Sequence, residues 1–186
     1  MGTMAVRAKQ MLPTMKSTRI LWAASLGLSL LLLSLPWLIR LDGHPHADWQ
    51  QFLGRFHPLV VHVPIGLLVL VPLLEAGGAL RPALREAAGF VLALELVSCL
   101  VAHSLGFLLA YGSGNAGTGV TRHLWGGVVL TIVVLICLLA RPQWYAQGAG
   151  YAYPTFLACM MIALVWTADQ GGALTHGSNY LSQYMP

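Results

Sequence analysis

Charge is the scarcest thing in this chain. Only 9% of its 186 residues are charged and just six are acidic, whereas a water-soluble domain carries about 25% charged residues. A soluble fold is excluded on that ground. Clustered charge is missing as well, since the ten Lys and Arg residues stand singly between apolar stretches. The net charge of +4 therefore builds no patch for nucleic acid. Cysteine is sparse: Cys99, Cys137 and Cys159 each fall inside an apolar stretch, and no C-x-x-C-H run occurs. Covalently attached c-type haem is excluded, no disulfide framework or zinc site is indicated, and the three read as small apolar fillers. No internal repeat is apparent in the sequence.

What is abundant is hydrophobicity, at 57% of residues with a mean hydropathy of +0.71. A helix needs about 20 apolar residues to cross a bilayer core. Five stretches qualify: Arg19 to Arg40, Pro58 to Leu80, Ala88 to Tyr111, His123 to Ala140 and Pro154 to Asp169. The Gly-rich run from Gly112 separates the third from the fourth, and Arg141-Pro142 is expected to end the fourth. The first stretch follows a basic segment, as a signal peptide would. Its hydrophobic run continues through Ile39 without a small-residue cleavage site, so it reads as a retained anchor. The fold class expected is an all-α integral membrane protein of about five transmembrane helices, the last four forming a haem-binding type of four-helix bundle. Its segments are 1–18 (cytoplasmic), 19–40 (anchor), 41–57 (periplasmic loop), 58–170 (bundle) and 171–186 (periplasmic tail).

Lysine and arginine counts set the expected orientation. With the N-terminus inside, Arg7, Lys9, Lys16, Arg19, Arg81, Arg85 and Arg141 are cytoplasmic, and only Arg40, Arg55 and Arg122 lie outside. All seven histidines then gather toward the outer face. His44 and His46 lie in the first outer loop, and His57 and His62 at the entrance of the second span. His103 lies about two turns inside the third, His123 opens the fourth and His176 follows the fifth.

Several imidazoles at similar depth on three helices point to cofactor ligation, because polar groups in hydrocarbon are costly and imidazole is the common protein ligand of haem iron. Glycines one turn from the histidines, namely Gly66 after His62, Gly106 after His103, and Gly126 with Gly127 after His123, would let a flat macrocycle lie against the helices. Close helix packing is the alternative use of those glycines. His57 and His62, five residues apart, point about 140° from each other on a regular helix and cannot serve one iron from one face. The deeper His62 is expected to pair with His123 as axial ligands, with His103 as substitute. His57 is left for a second haem, a propionate or a partner. Arg55 and Arg122 would neutralise propionates or simply snorkel. Glu95, well inside the third span, is either a proton relay for quinol chemistry or a neutral acid bonded to a neighbouring helix. Glu75 and Asp169, near span ends, carry less weight.

The segment Gly54 to Gly66, reading G-R-F-H-P-L-V-V-H-V-P-I-G, resembles the H-P-L-x-x-H-x-P-I-G opening of a bacterial membrane family, the DUF2231 proteins. A looser likeness runs from about Asp48 to the C-terminus through Arg122 to Gly126 and Gly171 to Gly177. The ending Thr175 to Leu181 is similar to members fused to a periplasmic c-type cytochrome domain. The resemblance implies a redox membrane module beside c-type cytochromes, with its histidines carried onto His57, His62 and His123. Many members have a histidine just before the last Gly-Gly, where Asp169 and Gln170 stand here, and His103 is then the imidazole left to replace it.

The function expected is a b-type cytochrome subunit of the bacterial inner membrane. It would hold one or two haem b groups at His62, His123, His103 and His57, with His176 nearby. Electrons would pass between the quinone pool and a periplasmic c-type cytochrome or oxidoreductase, alongside other membrane subunits. Two rivals stand beside it: a haem-free anchor or assembly subunit, and a metal-handling protein using His44, His46, His57 and His176.

Overall fold

The computed structural model describes residues 15–147, 150–180 and 182–184. The expected cytoplasmic segment 1–18 therefore lies almost wholly outside the described residues. Among those described the protein is helical, and its one piece of β pairing is an isolated bridge between Pro45 and Ser113. In chain order the helices are α1 (Met15–Leu38), α2 (Asp48–Gly54), α3 (His57–Val60), α4 (His62–Gly77), α5 (Pro82–Gly112), α6 (Thr118–Gln147) and α7 (Ala152–His176). A 3-10 turn, Ser182–Tyr184, follows.

Four helical stretches are long and apolar enough to cross a membrane: Asp48–Gly77, Pro82–Gly112, Thr118–Ala146 and Ala152–His176. Each is longer than the hydrophobic run that announces it, because the ends reach into the interfacial layer. Pro82, at the first helical position of α5, costs no intrahelical bond there. Pro142 does not end α6, which runs on to Gln147. One missing N–H is tolerated at a membrane boundary, where the freed carbonyl finds other partners.

The four spans form an up-and-down bundle in which α4 packs on α5, α5 on α6, α6 on α7, and α7 back on α4, while α1 lies outside against α5 and α6. The core repeats every three or four residues along each helix: Pro64, Leu68 and Val71 on α4; Ala88, Leu92, Glu95 and Cys99 on α5; Met160, Leu164 and Thr167 on α7. The opposite faces carry exposed Leu73, Phe90, Val129, Ile162 and Val165. Water would not tolerate so much apolar exterior, and a lipid bilayer requires it.

At the histidine end the short α2 lies across α5. Gly54 sits against the backbone of Leu108 and Leu109, and Gly112 against Gln50 and Gln51, so neither position has room for a side chain. The preceding loop is tied down where the His46 N–H donates to the Gly112 carbonyl at 2.8 Å and the His46 ring stacks on Tyr111, centres 3.8 Å apart. The His44 backbone N–H, followed by the His46 ring, holds the Asp42 carboxyl below its ordinary value. That support is present above the usual carboxylate range and is lost as the pH falls through the lowered value.

Candidate histidine site

Two histidines, one from each helical hairpin, converge at the end of the bundle where α2 lies. His57, at the start of α3, donates from Nδ1 to the Ala102 carbonyl of α5 at 2.9 Å. His123, in the first turns of α6, donates from Nδ1 to the Thr167 carbonyl of α7 at 3.0 Å. Their ring centres are 5.9 Å apart with planes inclined at 68°. A carbonyl only accepts, so in both neutral rings Nδ1 carries the proton and Nε2 keeps the lone pair. Such an Nδ1 anchor is what orients a ligating imidazole.

The two anchors are the same device used twice. His57 and its carbonyl are 45 residues apart, His123 and its carbonyl 44, and in each hairpin a glycine stands four residues beyond the carbonyl, Gly106 and Gly171. Each glycine lies under the ring: a Cβ at Gly106 would meet His57 Cε1 at 2.9 Å, and one at Gly171 would meet His123 Cε1 at 2.8 Å. The hairpins therefore repeat in three dimensions, although the sequence shows no repeat. The near-equal spacing of His57 to Gly106 and His123 to Gly171 is the signal that could have exposed it.

The expected pairing of His62 with His123 is corrected. His62 is exposed, its Nδ1 turned to the Leu59 carbonyl of the preceding turn at 3.3 Å, and Gly66 faces open space. The two histidines do point apart, as five residues require, but His57 is the one facing inward. It stands seven residues before buried Pro64 and thus on the face that Pro64, Leu68 and Val71 bury. The glycines are reassigned too: Gly106 seats His57 rather than its helix neighbour His103, and Gly126 faces Trp166 and Thr167 of α7.

His103 is buried at 8% exposure, one turn deeper than Gly106. Its ring lies near the Leu32 carbonyl of α1 and against Gly127 of α6, and its Nε2 is buried without a hydrogen-bond partner. Arg55 and Arg122 are exposed at the same end of the bundle. His176 is exposed at the end of α7, its ring 5.7 Å from that of Tyr180. His44 is exposed, and His46 is engaged by Asp42 and Tyr111. Among the described residues no three His, Cys, Asp or Glu side chains gather as a metal site, so His44, His46, His57 and His176 are not brought together.

Glu95 is fully buried. It accepts from Cys99 Sγ at 2.8 Å and Ser98 Oγ at 3.3 Å, both on its own helix. The larger surprise is Glu75, which the sequence leaves as an easily hydrated group near a span end. Its side chain is only 7% exposed and pairs with Arg141 Nε at 2.6 Å, while the hydroxyls of Tyr153 and Tyr145 also donate to it. Arg141 reaches the Arg85 carbonyl as well, and the Arg85 and Arg141 guanidinium groups lie 4.7 and 4.9 Å from the centre of the Tyr145 ring. This clamp joins α4, α5, α6 and α7. The same eighteen-residue step separates His57 from Glu75, His123 from Arg141 and Tyr153 from Gly171. At 1.5 Å per residue the step is about 27 Å, close to the thickness of a bilayer core. The histidine level and the Glu75 clamp thus bracket the hydrocarbon.

Residues 55–178 match a family described as "Predicted membrane protein (DUF2231)"; the match spans both histidines, both seating glycines and the clamp. No curated protein matches the chain, and no solved structure matches it.

Proposed function

We propose that this chain, which belongs to the DUF2231 family of predicted membrane proteins, is a b-type cytochrome subunit carrying electrons between the membrane quinone pool and a periplasmic redox partner. One observation carries the reading: two imidazoles from different hairpins, each anchored through Nδ1, with ring centres 5.9 Å apart. Two imidazoles sharing one metal at about 2 Å from each nitrogen hold their ring centres about 6 Å apart. The donor set fits haem iron: His57 and His123 would hold it, and Arg55 and Arg122, exposed at the same end, would be available to pair with propionates. Bound haem b would supply reversible one-electron chemistry; the protein's part is to fix both imidazoles and surround them with apolar helix. A cleft of about 280 Å³ opens nearby between α1, α5 and α6, lined by Leu41, Phe107, Leu124 and Trp125 with Arg40 beside them. Its lining is mixed, with Arg40 and Thr121 beside the apolar side chains, and a quinone head group would find both an apolar face and a polar partner there.

A reduced-minus-oxidised optical spectrum of the purified protein tests this directly. Sharp b-type bands are expected. Their absence together with bound copper or zinc would favour a metal-handling protein, and their absence without metal a haem-free anchor.

The seating glycines supply a second test. Gly171→Ala and Gly106→Ala should each displace an imidazole and weaken haem retention, whereas Gly66→Ala, with nothing near it, should leave the spectrum unchanged. Equal retention in all three would remove the glycines from the site.

The orientation belongs to the same reading. Seven of ten basic residues lie inside when the N-terminus is cytoplasmic, which puts the histidine end on the periplasmic side of the inner membrane. Reporter fusions after Met15 and Pro186 should report opposite sides, cytoplasmic and periplasmic respectively; both on one side would overturn it.

A further inference from the structure

The interior of the bundle is polar on one side of Glu95 and dry on the other. Toward the histidine end, buried polar groups follow one another at intervals of about a turn. Ser98 and Cys99 bond to Glu95, and Thr131 of α6, 1% exposed, stands beside Cys99 and donates to the Gly127 carbonyl at 2.7 Å. One turn further lies Gly127, against the His103 ring, and at that depth stand two buried polar atoms without partners, His103 Nε2 and Thr167 Oγ1. Thr167 in turn supplies the carbonyl that anchors His123. A buried polar atom left unpaired costs about 1–3 kcal/mol, and ordered water is the usual remedy in a polar interior. The two atoms lie at similar depth, level with Gly126 and Gly127 of α6, and each marks a place for water between Glu95 and the histidine end.

Toward the clamp the interior changes character. Val71 of α4, Leu92 and Ala88 of α5 and Cys137 of α6 are all 0% exposed, with Phe156 and Leu157 of α7 packed against that cluster. Cys137, with the exposed Cys159 of α7 beside it, is the buried polar side chain described in that layer, and beyond it lie the clamp and the unpartnered Nε of Arg85. The titratable and charged groups on the helices around Glu95 are accordingly divided. His57, His103, His123 and Cys99 lie on its polar side; Cys137, Tyr153, Glu75 and Arg141 lie across or beyond the dry layer.

We propose that Glu95 exchanges protons with water at the histidine end only, through the Cys99, Thr131 and His103 level, and is sealed from the clamp end by the Val71–Leu92–Cys137 layer. The bundle is then a one-sided proton well, a carboxyl held in mid-membrane in contact with a single face. The well does not depend on what the histidines hold. If they hold haem, Glu95 is a buried acid able to exchange a proton from the same face.

The test uses the full chain in lipid vesicles captured through a C-terminal tag, so that the histidine end faces outward, with the lumen separately buffered. The infrared band of the Glu95 carboxyl is identified by its loss in Glu95→Gln, or by its frequency shift in Glu95→Asp should the amide variant fail to fold. As the pH is stepped on one face at a time, the band is expected to follow the external pH and to ignore the lumen. Thr131→Val, which keeps volume and removes one hydrogen-bonding position, should slow the response about tenfold. A band that follows the lumen, both faces or neither overturns the proposal, and so does an unslowed response in Thr131→Val. A missing haem spectrum in the same sample would remove the cytochrome reading and leave this result standing.

Discussion

Alanine at His57 or at His123 is expected to abolish the haem absorbance of the purified protein, while alanine at His62 leaves it intact. The two inward imidazoles are equivalent in geometry, each tied by Nδ1 to a carbonyl of the following membrane span and each resting on a glycine. If they hold haem, losing either would remove one of the two residues that hold it. All three variants should still reach the membrane, because insertion depends on the apolar spans. His62 is exposed and hydrogen-bonded only within its own segment, so its removal costs the site nothing. The informative comparison is therefore between two histidines five residues apart. Loss of the spectrum in His62→Ala with retention in His57→Ala would overturn the assignment and restore the pairing that depth alone suggests. Loss in only one of His57→Ala and His123→Ala would point to a mixed ligand pair, with the spared ring in a supporting position.

The second large effect is expected at the other end of the bundle. Association of helices in lipid gains little from burying apolar surface, since the surroundings are equally apolar, so polar contacts between helices carry more of the specificity. Glu75 meets Arg141 at 2.6 Å with side-chain exposures of 7% and 15%, and two tyrosine hydroxyls complete its shell. Glu75→Ala strands a half-buried guanidinium and two phenols, and breaking a buried pair from one side typically costs about 3–5 kcal/mol. Glu75→Gln should cost less, because its amide oxygen still accepts from Tyr153. Unfolding of the purified protein in detergent measures both, and the spectrum below the transition should be unchanged because the histidine site is some 27 Å away. A Glu75→Ala variant within about 0.5 kcal/mol of the parent, the range of neutral surface changes, would show that the clamp is dispensable.

Much of the architecture is legible along the chain. The scarcity of charge, the apolar runs and the Gly-rich break after Gly112 locate the four long spans, with errors at their ends, at Pro142, and at α2, which the sequence reading leaves inside the 41–57 loop. The opening motif at Gly54 to Gly66 identifies the family. The gathering of histidines at one end is also legible, since depth in a bilayer is counted in residues from a span boundary. Glu95 stands out because a carboxyl in hydrocarbon is conspicuous in any sequence.

Rotation about the helix axis is a different matter. In a soluble helix the polar face announces which side is outside; here lipid and interior are both apolar, and the spans are hydrophobic all round. Which of His57 and His62 turns inward is consequently set by packing: α2 wedged against α5 at Gly54 and Gly112, and the Pro64–Leu68–Val71 face sought by the neighbouring helices. The glycines that matter to each histidine lie across the helix interface rather than along the same helix, so spacing within one span pairs them wrongly. Glu75 looks like a hydrated end group until Arg141, Tyr145 and Tyr153 arrive from helices some seventy residues away. The sequence by itself determined the medium, the helices and the depth of each polar group, because those follow from the cost of taking charge and backbone out of water. The tertiary structure alone decided which side chains meet, because in an apolar medium only close packing and hydrogen bonding choose a helix's azimuth.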